Sequence, residues 1–180
     1  DDLSIQPQIA ESWEETSPTS YTFHLRAGAT FSNGRQVTAD DVVGSLKRVL
    51  DPVLASVWAV QMGPITDIVA VDPATVRIDL SKPYAALLPA LAGINAAIIP
   101  IKELADGSFD PAKDLLGSGP YRLVEHKQDE SWVFERNPSY WQAGQPVADK
   151  IDILIIPDDA ARIAALRDGR VDIANFDSPD

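Results

Sequence analysis

The stretch Tyr21-Thr22-Phe23-His24-Leu25-Arg26 decides how the rest of this 180-residue chain is interpreted. Its apolar residues alternate with polar ones, which is the period-two pattern of a strand buried on one face. Further along, Thr38-Ala39-Asp40-Asp41 has the spacing of a capping box, a hydroxyl followed three residues later by a carboxylate. We therefore predict a strand followed, after a turn, by an amphipathic helix.

Beyond this helix the pattern predicts short, locally paired strands with helices between them. Strands are predicted at 68–71, 76–80, 97–101, 121–125, 132–136, 151–155 and 171–174, and helices at 84–91 and from Asp158 or Asp159 to Gly169. Ser81 is the predicted cap for the helix at 84–91, which Pro89 should kink or shorten. This order fits an α+β (mixed α/β) fold better than a doubly wound sheet. No internal repeat or linker divides the chain.

The composition excludes several functional classes. The formal net charge is −12, from 27 acidic and 15 basic residues, so nucleic acids and anionic membrane surfaces are poor partners. No apolar run approaches the roughly 20 residues that a membrane helix needs. The absence of cysteine removes disulfides and thiolate metal sites.

Few residues are suited to catalysis. His24 on a polar strand face and His126 in a polar hairpin loop are interpreted as surface residues, and they lack metal-ligand spacing. The pairs Asp40-Asp41 and Asp158-Asp159 stand where helices begin, which favours capping over acid–base chemistry. Gly117-Ser118-Gly119 lacks the lysine and helix of a phosphate loop, so we expect a turn with glycine at positive φ. No catalytic residue, metal or cofactor is predicted.

Trp58 lies in an irregular stretch, Val57-Trp58-Ala59-Val60-Gln61-Met62. A tryptophan in such a segment is either a platform for a ligand or an anchor that holds the loop. From the residues alone, the anchor is favoured.

Motifs in a fixed order run along most of the chain. The first, at 6–14, contains Pro7-Gln8-Ile9-Ala10-Glu11-Ser12-Trp13, and later ones lie at 21–28, 31–34, 37–42, 117–121, 135–141 and 162–173. Together they resemble the family 5 extracellular solute-binding proteins, which include dipeptide-, oligopeptide- and nickel-binding receptors. At 117–121 this chain has Ser118 where the family usually has threonine, which keeps the hydroxyl.

The resemblance implies a type II periplasmic-binding-protein-like fold, in which two lobes enclose a ligand. Residues 1–180 would form a single partial unit, the accessory domain and part of lobe one, with the second lobe and the N-terminal strands absent. The function implied is the substrate-binding component of an ABC importer, which takes a peptide or similar small solute to the permease subunits. An extracytoplasmic location follows, in the periplasm or at the cell surface; whether a segment absent here carries a lipid anchor is left open.

The same resemblance changes the interpretation of Trp58. Aligning Asp51-Pro52 and Ala55-Ser56 with oligopeptide-binding members places Trp58 at an aromatic position that touches ligand, so a ligand-facing role is now favoured. Asn175 and Phe176 are added only because they should lie near the hinge between the lobes. The alternatives are the sensing domain of a regulator and a hydrolase, against which the scarcity of catalytic groups argues.

Overall fold

In the computed structural model, which describes residues 4–176, the strands form two separate antiparallel sheets. The strands are β1 (Ala10–Ser17), β2 (Ser20–Leu25), β3 (Ile65–Asp72), β4 (Thr75–Leu80), β5 (Tyr121–Lys127), β6 (Ser131–Arg136) and β7 (Lys150–Leu154). The helices are α1 (Ala39–Leu50), α2 (Leu87–Leu91), α3 (Ile101–Asp106) and α4 (Asp159–Arg167), with 3-10 turns at Ala59–Met62 and Ile94–Ala96. The α+β (mixed α/β) architecture predicted from the sequence is confirmed.

The larger sheet has the strand order β1-β2-β4-β3 and contains the main core. The alternation predicted for β2 is confirmed, because its apolar side chains are buried while His24 points to solvent. On the neighbouring strand, Val76 and Ile78 lie opposite Phe23 and Tyr21. Helix α1 covers this apolar surface with Val42 and Leu46.

The start of α1 is fixed by an ion cluster that we call the Arg35 cluster (Arg35, Asp41 and Glu103). The buried Asp41 carboxylate accepts hydrogen bonds from the backbone N–H of Thr38 at 3.0 Å and from the Thr38 hydroxyl at 2.8 Å. Arg35 donates to both Asp41 oxygens, at 2.8 and 2.9 Å, and to Glu103 at 2.5 Å. The backbone N–H of Ile101 adds a bond of 3.1 Å to Asp41. The cluster therefore joins a loop and the first turns of α1 and α3.

Three predicted elements differ from the structure. The helix predicted at 84–91 is only Leu87–Leu91, and its N-cap is Ala86 rather than Ser81. Pro89 explains the late start, since proline is tolerated in a first turn but clashes with the preceding turn farther inside a helix. The prediction of a strand at 97–101 is wrong. The Ser45 hydroxyl accepts from the N–H of Ile99 at 3.0 Å and donates to the Ile99 carbonyl, so a side chain binds the backbone groups that a neighbouring strand would pair with. The segment 171–174 is irregular and pairs with no strand within residues 4–176.

The smaller sheet, β5-β6-β7, confirms the predicted hairpin and the strand after it. Within residues 4–176, two hydrogen bonds and one cation–π contact connect it to the region of the larger sheet. The N–H of Ser32 donates to the carbonyl of Gly117 at 2.8 Å, and the Thr30 hydroxyl donates to that of Ser139 at 3.0 Å. The Arg26 guanidinium lies 3.9 Å from the centroid of the Trp141 ring.

Candidate functional site

The segment that carries Trp58 is a loop between α1 and β3, and we call residues 51–63 the Trp58 loop. At its start the Asp51 carboxylate accepts a hydrogen bond from the N–H of Val53 at 2.8 Å. In its middle the Ser56 hydroxyl accepts from the N–H of Trp58 at 3.3 Å. At its end Met62 is 0% exposed and belongs to the main core. The two hydrogen bonds order the loop locally, and its ends are held by Leu50, which packs against the main core at the end of α1, and by Met62.

Between these anchors the loop presents apolar surface to solvent. Trp58 is 42% exposed, and Val53, Val57 and Val60 are each at least 79% exposed. Ala55 has φ 48°, in the left-handed region that residues with a Cβ rarely adopt. Strained backbone and solvent-facing apolar side chains on one loop are common at binding sites.

Beside the Trp58 loop is a pocket with a volume of about 350 Å³, which we call the Arg48 pocket. It lies between the last turn of α1, the loop itself and the segment 97–99. Its lining residues are Ser45, Arg48, Val49, Leu54, Ser56, Ala97 and Ile99. No pattern in the sequence indicates this pocket, because its walls come from segments about 50 residues apart.

A second concavity, with a volume of about 810 Å³, opens onto the main core. Its walls include Phe23, Leu46 and Ile78, together with residues of the N-terminal segment 4–10 and the loop 117–119. Among residues 4–176, none that is acidic or basic lines it. It offers packing surface rather than groups for acid–base chemistry.

Asn175 and Phe176, the other predicted ligand contacts, lie at the end of the described residues. Asn175 is exposed, and Phe176 is 40% exposed with its ring centroid 5.6 Å from the guanidinium carbon of Arg162. No hydrogen bond or ring contact within residues 4–176 joins either one to Trp58. The ligand-binding roles of all three residues therefore stay predictions.

The candidate acids and bases have structural partners. His24 faces Glu14 at 3.9 Å, and His126 lies within β5, not in a loop as predicted, where it stacks on Trp132 with ring centroids 3.6 Å apart. The capping interpretation of the second carboxylate pair is confirmed for Asp158, which accepts from the N–H of Ala161 at 2.8 Å.

The loop 117–119 precedes β5 as predicted, but neither glycine has the positive φ we expected. Instead, the loop contributes backbone acceptors: the Gly119 carbonyl accepts from the amide of the buried Asn137 at 2.9 Å. Among residues 4–176 there is no cluster of three His, Cys, Asp or Glu side chains that could hold a metal ion. In the same range no helix is both long enough and apolar enough to cross a membrane.

A mixed α/β scaffold with an aromatic residue exposed on an anchored loop is typical of a ligand-binding module. The comparison with known families specifies the class. The chain belongs to the bacterial extracellular solute-binding proteins, family 5 Middle, whose family model matches residues 4–180. The resemblance seen in the motifs is thereby confirmed.

Individual relatives agree with this membership. The periplasmic oligopeptide-binding protein OppA of Escherichia coli K12 is 31% identical over 193 residues, which cover 96% of this chain and 35% of that protein. Heme-binding protein A of Haemophilus influenzae is 34% identical over 197 residues, covering 96% of this chain and 36% of that protein. This chain thus spans about a third of the length of these relatives.

Solved structures share the fold. The binding protein AgaA of A. tumefaciens R10, in complex with agropinic acid, superposes with a TM-score of 0.87 at 31% identity. The superposition covers 92% of this chain and 34% of that one. The type II periplasmic-binding-protein-like fold class is confirmed by this similarity.

Proposed function

We propose that this chain is part of the substrate-binding component of an ABC importer, which reversibly binds a peptide or similar small solute between two lobes. Residues 1–180 then form a single partial unit, the accessory domain and part of lobe one, and the second lobe and N-terminal strands lie outside them. Membership of the solute-binding family supports this, as does the share of about a third that the chain covers in its relatives. Those relatives are named as binding proteins, which supports a binding role rather than a catalytic one.

The observation that carries the proposal is the exposure of Trp58 on an anchored loop. A half-exposed indole on a braced backbone loses little conformational freedom when a solute packs against it. Closure of a second lobe over the loop would remove water from this apolar surface and stabilise the closed state. The mechanism is domain closure around the solute, with no covalent step.

The names of the relatives supply several candidate classes of solute. They are named for oligopeptides and heme, and one was solved with agropinic acid. We place peptides first, because oligopeptide-binding proteins are among the relatives that this chain matches over nearly its whole length. The partners would be ABC permease subunits, and the location would be extracytoplasmic, as in the relatives named periplasmic.

Calorimetry on the protein as its gene encodes it tests the proposal. Di- to pentapeptides, oligosaccharides and metal chelates are titrated separately, and we expect saturable binding of one class. No binding by any class would contradict the proposal. Hydrolysis of model esters, peptides or glycosides by the same preparation would favour the hydrolase, and a DNA-binding domain encoded in the same gene would favour the regulator.

A further inference from the structure

The Arg48 pocket contains a cation without a partner. The Arg48 guanidinium forms no hydrogen bond, ion pair or ring contact in the part of the chain that the structure describes, although the Arg48 backbone carbonyl accepts from the N–H of Asp51. Six other arginines have a carboxylate within 4 Å: Arg35, Arg77, Arg122, Arg136, Arg162 and Arg170. In a chain with 27 acidic and 15 basic residues, an arginine left unpaired beside a pocket is unusual.

The polar groups around Arg48 also favour an anion. The Ser56 hydroxyl accepts from Trp58, and its own proton has no acceptor within residues 4–176. Ser45 is different, because its hydroxyl both donates to and accepts from Ile99. No carboxylate from the described part of the chain lines the pocket, and the Asp51 carboxylate, three residues after Arg48, is engaged by the N–H of Val53. The pocket thus offers donors without a charged acceptor.

The remaining walls are apolar. Val49, Leu54 and Ile99 line the pocket, and Leu54 is 45% exposed. A guanidinium matches a carboxylate with two parallel hydrogen bonds, while apolar walls favour a hydrocarbon attached to it.

A cation in the last turn of α1 also offsets the helix dipole, and Lys47 shares that position. Lys47, however, pairs with Asp67 at 3.5 Å, whereas Arg48 does not pair. The dipole explains a positive charge at this end of the helix, but not its place in the wall of a pocket that also offers a hydroxyl donor and apolar side chains.

We propose that the Arg48 pocket binds the carboxylate of a small apolar acid. Arg48 and the Ser56 hydroxyl donate hydrogen bonds to the carboxylate oxygens, and Val49, Leu54 and Ile99 contact the hydrocarbon part. During transport, the pocket selects solutes with a carboxylate beside an apolar group, such as the C-terminal end of a peptide. This last step rests on the proposed function.

The test compares two probes that differ only in charge, 3-phenylpropionate and neutral 3-phenylpropanamide. Both are titrated into the intact protein while the side-chain Nε–Hε resonance of Arg48 is followed by NMR. Because Arg48 is exposed, we expect the carboxylate to bind about three- to tenfold more tightly than the amide at low ionic strength. The ratio should fall toward one in high salt, since screening weakens exposed pairs.

Variants assign the preference to the pocket. Arg48→Met should remove the difference between the probes, and Arg48→Lys should keep part of it. Arg167→Met is the matched control, because Arg167 is also exposed in a helical last turn and lacks an ion-pair partner within residues 4–176. It should leave the ratio unchanged.

Equal affinity for the two probes, no shift of the Arg48 resonance, or an undiminished preference in Arg48→Met would each overturn the proposal. Should Arg48→Met not fold, the two probes on the unchanged protein still decide. A carboxylate-selective pocket in a protein that binds no transport solute would contradict the proposed function only. A transport solute that bound equally well with and without its carboxylate, and equally well to the unchanged protein and to Arg48→Met, would contradict this inference only.

Discussion

Trp58 differs from the other aromatic side chains because it is 42% exposed on a loop whose ends are anchored. Replacing it should therefore cost the fold little. We expect Trp58→Ala to weaken solute binding by about tenfold or more, as loss of a central aromatic contact commonly does. The melting temperature should shift by no more than about 2 °C.

Calorimetry and a thermal melt on the same preparation check this expectation. Trp58→Phe is the control, and it should retain most of the affinity because it keeps an aromatic surface. Unchanged affinity in Trp58→Ala would return Trp58 to the role of a loop anchor.

Asp41 has the opposite character, since it is buried and accepts hydrogen bonds from Arg35, Thr38 and Ile101. Asp41→Ala would leave the Arg35 guanidinium without its main partner. We expect a loss of about 3–5 kcal/mol in the free energy of unfolding, measured by urea titration. The adjacent Asp40, exposed in the first turn of α1, is the control, and Asp40→Ala should cost at most about 1 kcal/mol.

The same cluster predicts sensitivity to acid. Burial alone would raise the pKa of Asp41, but hydrogen bonds from Arg35, Thr38 and Ile101 outweigh it and hold this pKa below its ordinary value. The hydrogen bond from Arg35 likewise lowers the pKa of Glu103. A carboxylate with a depressed folded-state pKa stabilises the fold above its unfolded-state pKa and loses that contribution as pH falls through the folded value.

The stability of the protein should therefore be level above about pH 5 and fall steadily below about pH 4. Urea titrations at a series of pH values measure this. In Asp41→Ala the slope below pH 4 should be shallower, because one of the two depressed carboxylates of the Arg35 cluster is absent. A slope equal to that of the unchanged protein would mean that other carboxylates cause the acid sensitivity.

Among the elements, α4 depends on a cap that can be tested separately. Asp158 accepts from the N–H of Ala161 at 2.8 Å, which satisfies one of the free N–H groups in the first turn. Asp158→Ala should destabilise the helix by about 1 kcal/mol. Hydrogen exchange of the α4 amides should accelerate by about fivefold, since exchange reports local opening.

Asp159→Ala offers the comparison for this cap. Asp159 pairs with Arg162 but caps no N–H, so its removal should accelerate exchange less than removal of Asp158. Equal effects would mean that charge near the helix dipole, rather than the capping bond, stabilises α4.

The elements that the sequence predicts well are those determined by local pattern. The alternation in β2 and the capping box of α1 involve residues close together in the chain, so their structures could be predicted. The segment 97–101 is apolar enough for a strand, but its partner is Ser45, 54 residues away. Periodicity contains no information about such a partner.

The same limit applies to the candidate site. The resemblance to the family drew attention to Trp58, whose exposure only the fold could reveal. Arg48 in the sequence is one of two cations in the last turn of α1, and its lack of an ion-pair partner depends on where every carboxylate of the described chain lies in three dimensions. A pairing pattern of this kind cannot be predicted from one sequence.

For the molecule as a whole, the connection between the two sheet regions includes two hydrogen bonds and the contact between Arg26 and Trp141, which can be removed by mutation from either side. A double-mutant cycle with Arg26→Met and Trp141→Ala should give a coupling energy of about 0.5–1 kcal/mol. The cycle of Arg26→Met with Trp132→Ala is the control, because Trp132 stacks on His126 within the smaller sheet. Coupling near zero in the first cycle would remove this contact from the connection.

The strand order of the larger sheet has a consequence for how such a protein could diversify. Strand β2 pairs directly with β4, and β3 pairs with β4, so residues 26–64 form a long connection that leaves this sheet and returns to it. Arg48, Ser56 and Trp58 all lie in that connection. Residues 51–63 could therefore be exchanged between relatives as a cassette, and a library of such chimeras would vary the recognition surface while the sheet beneath it is inherited intact.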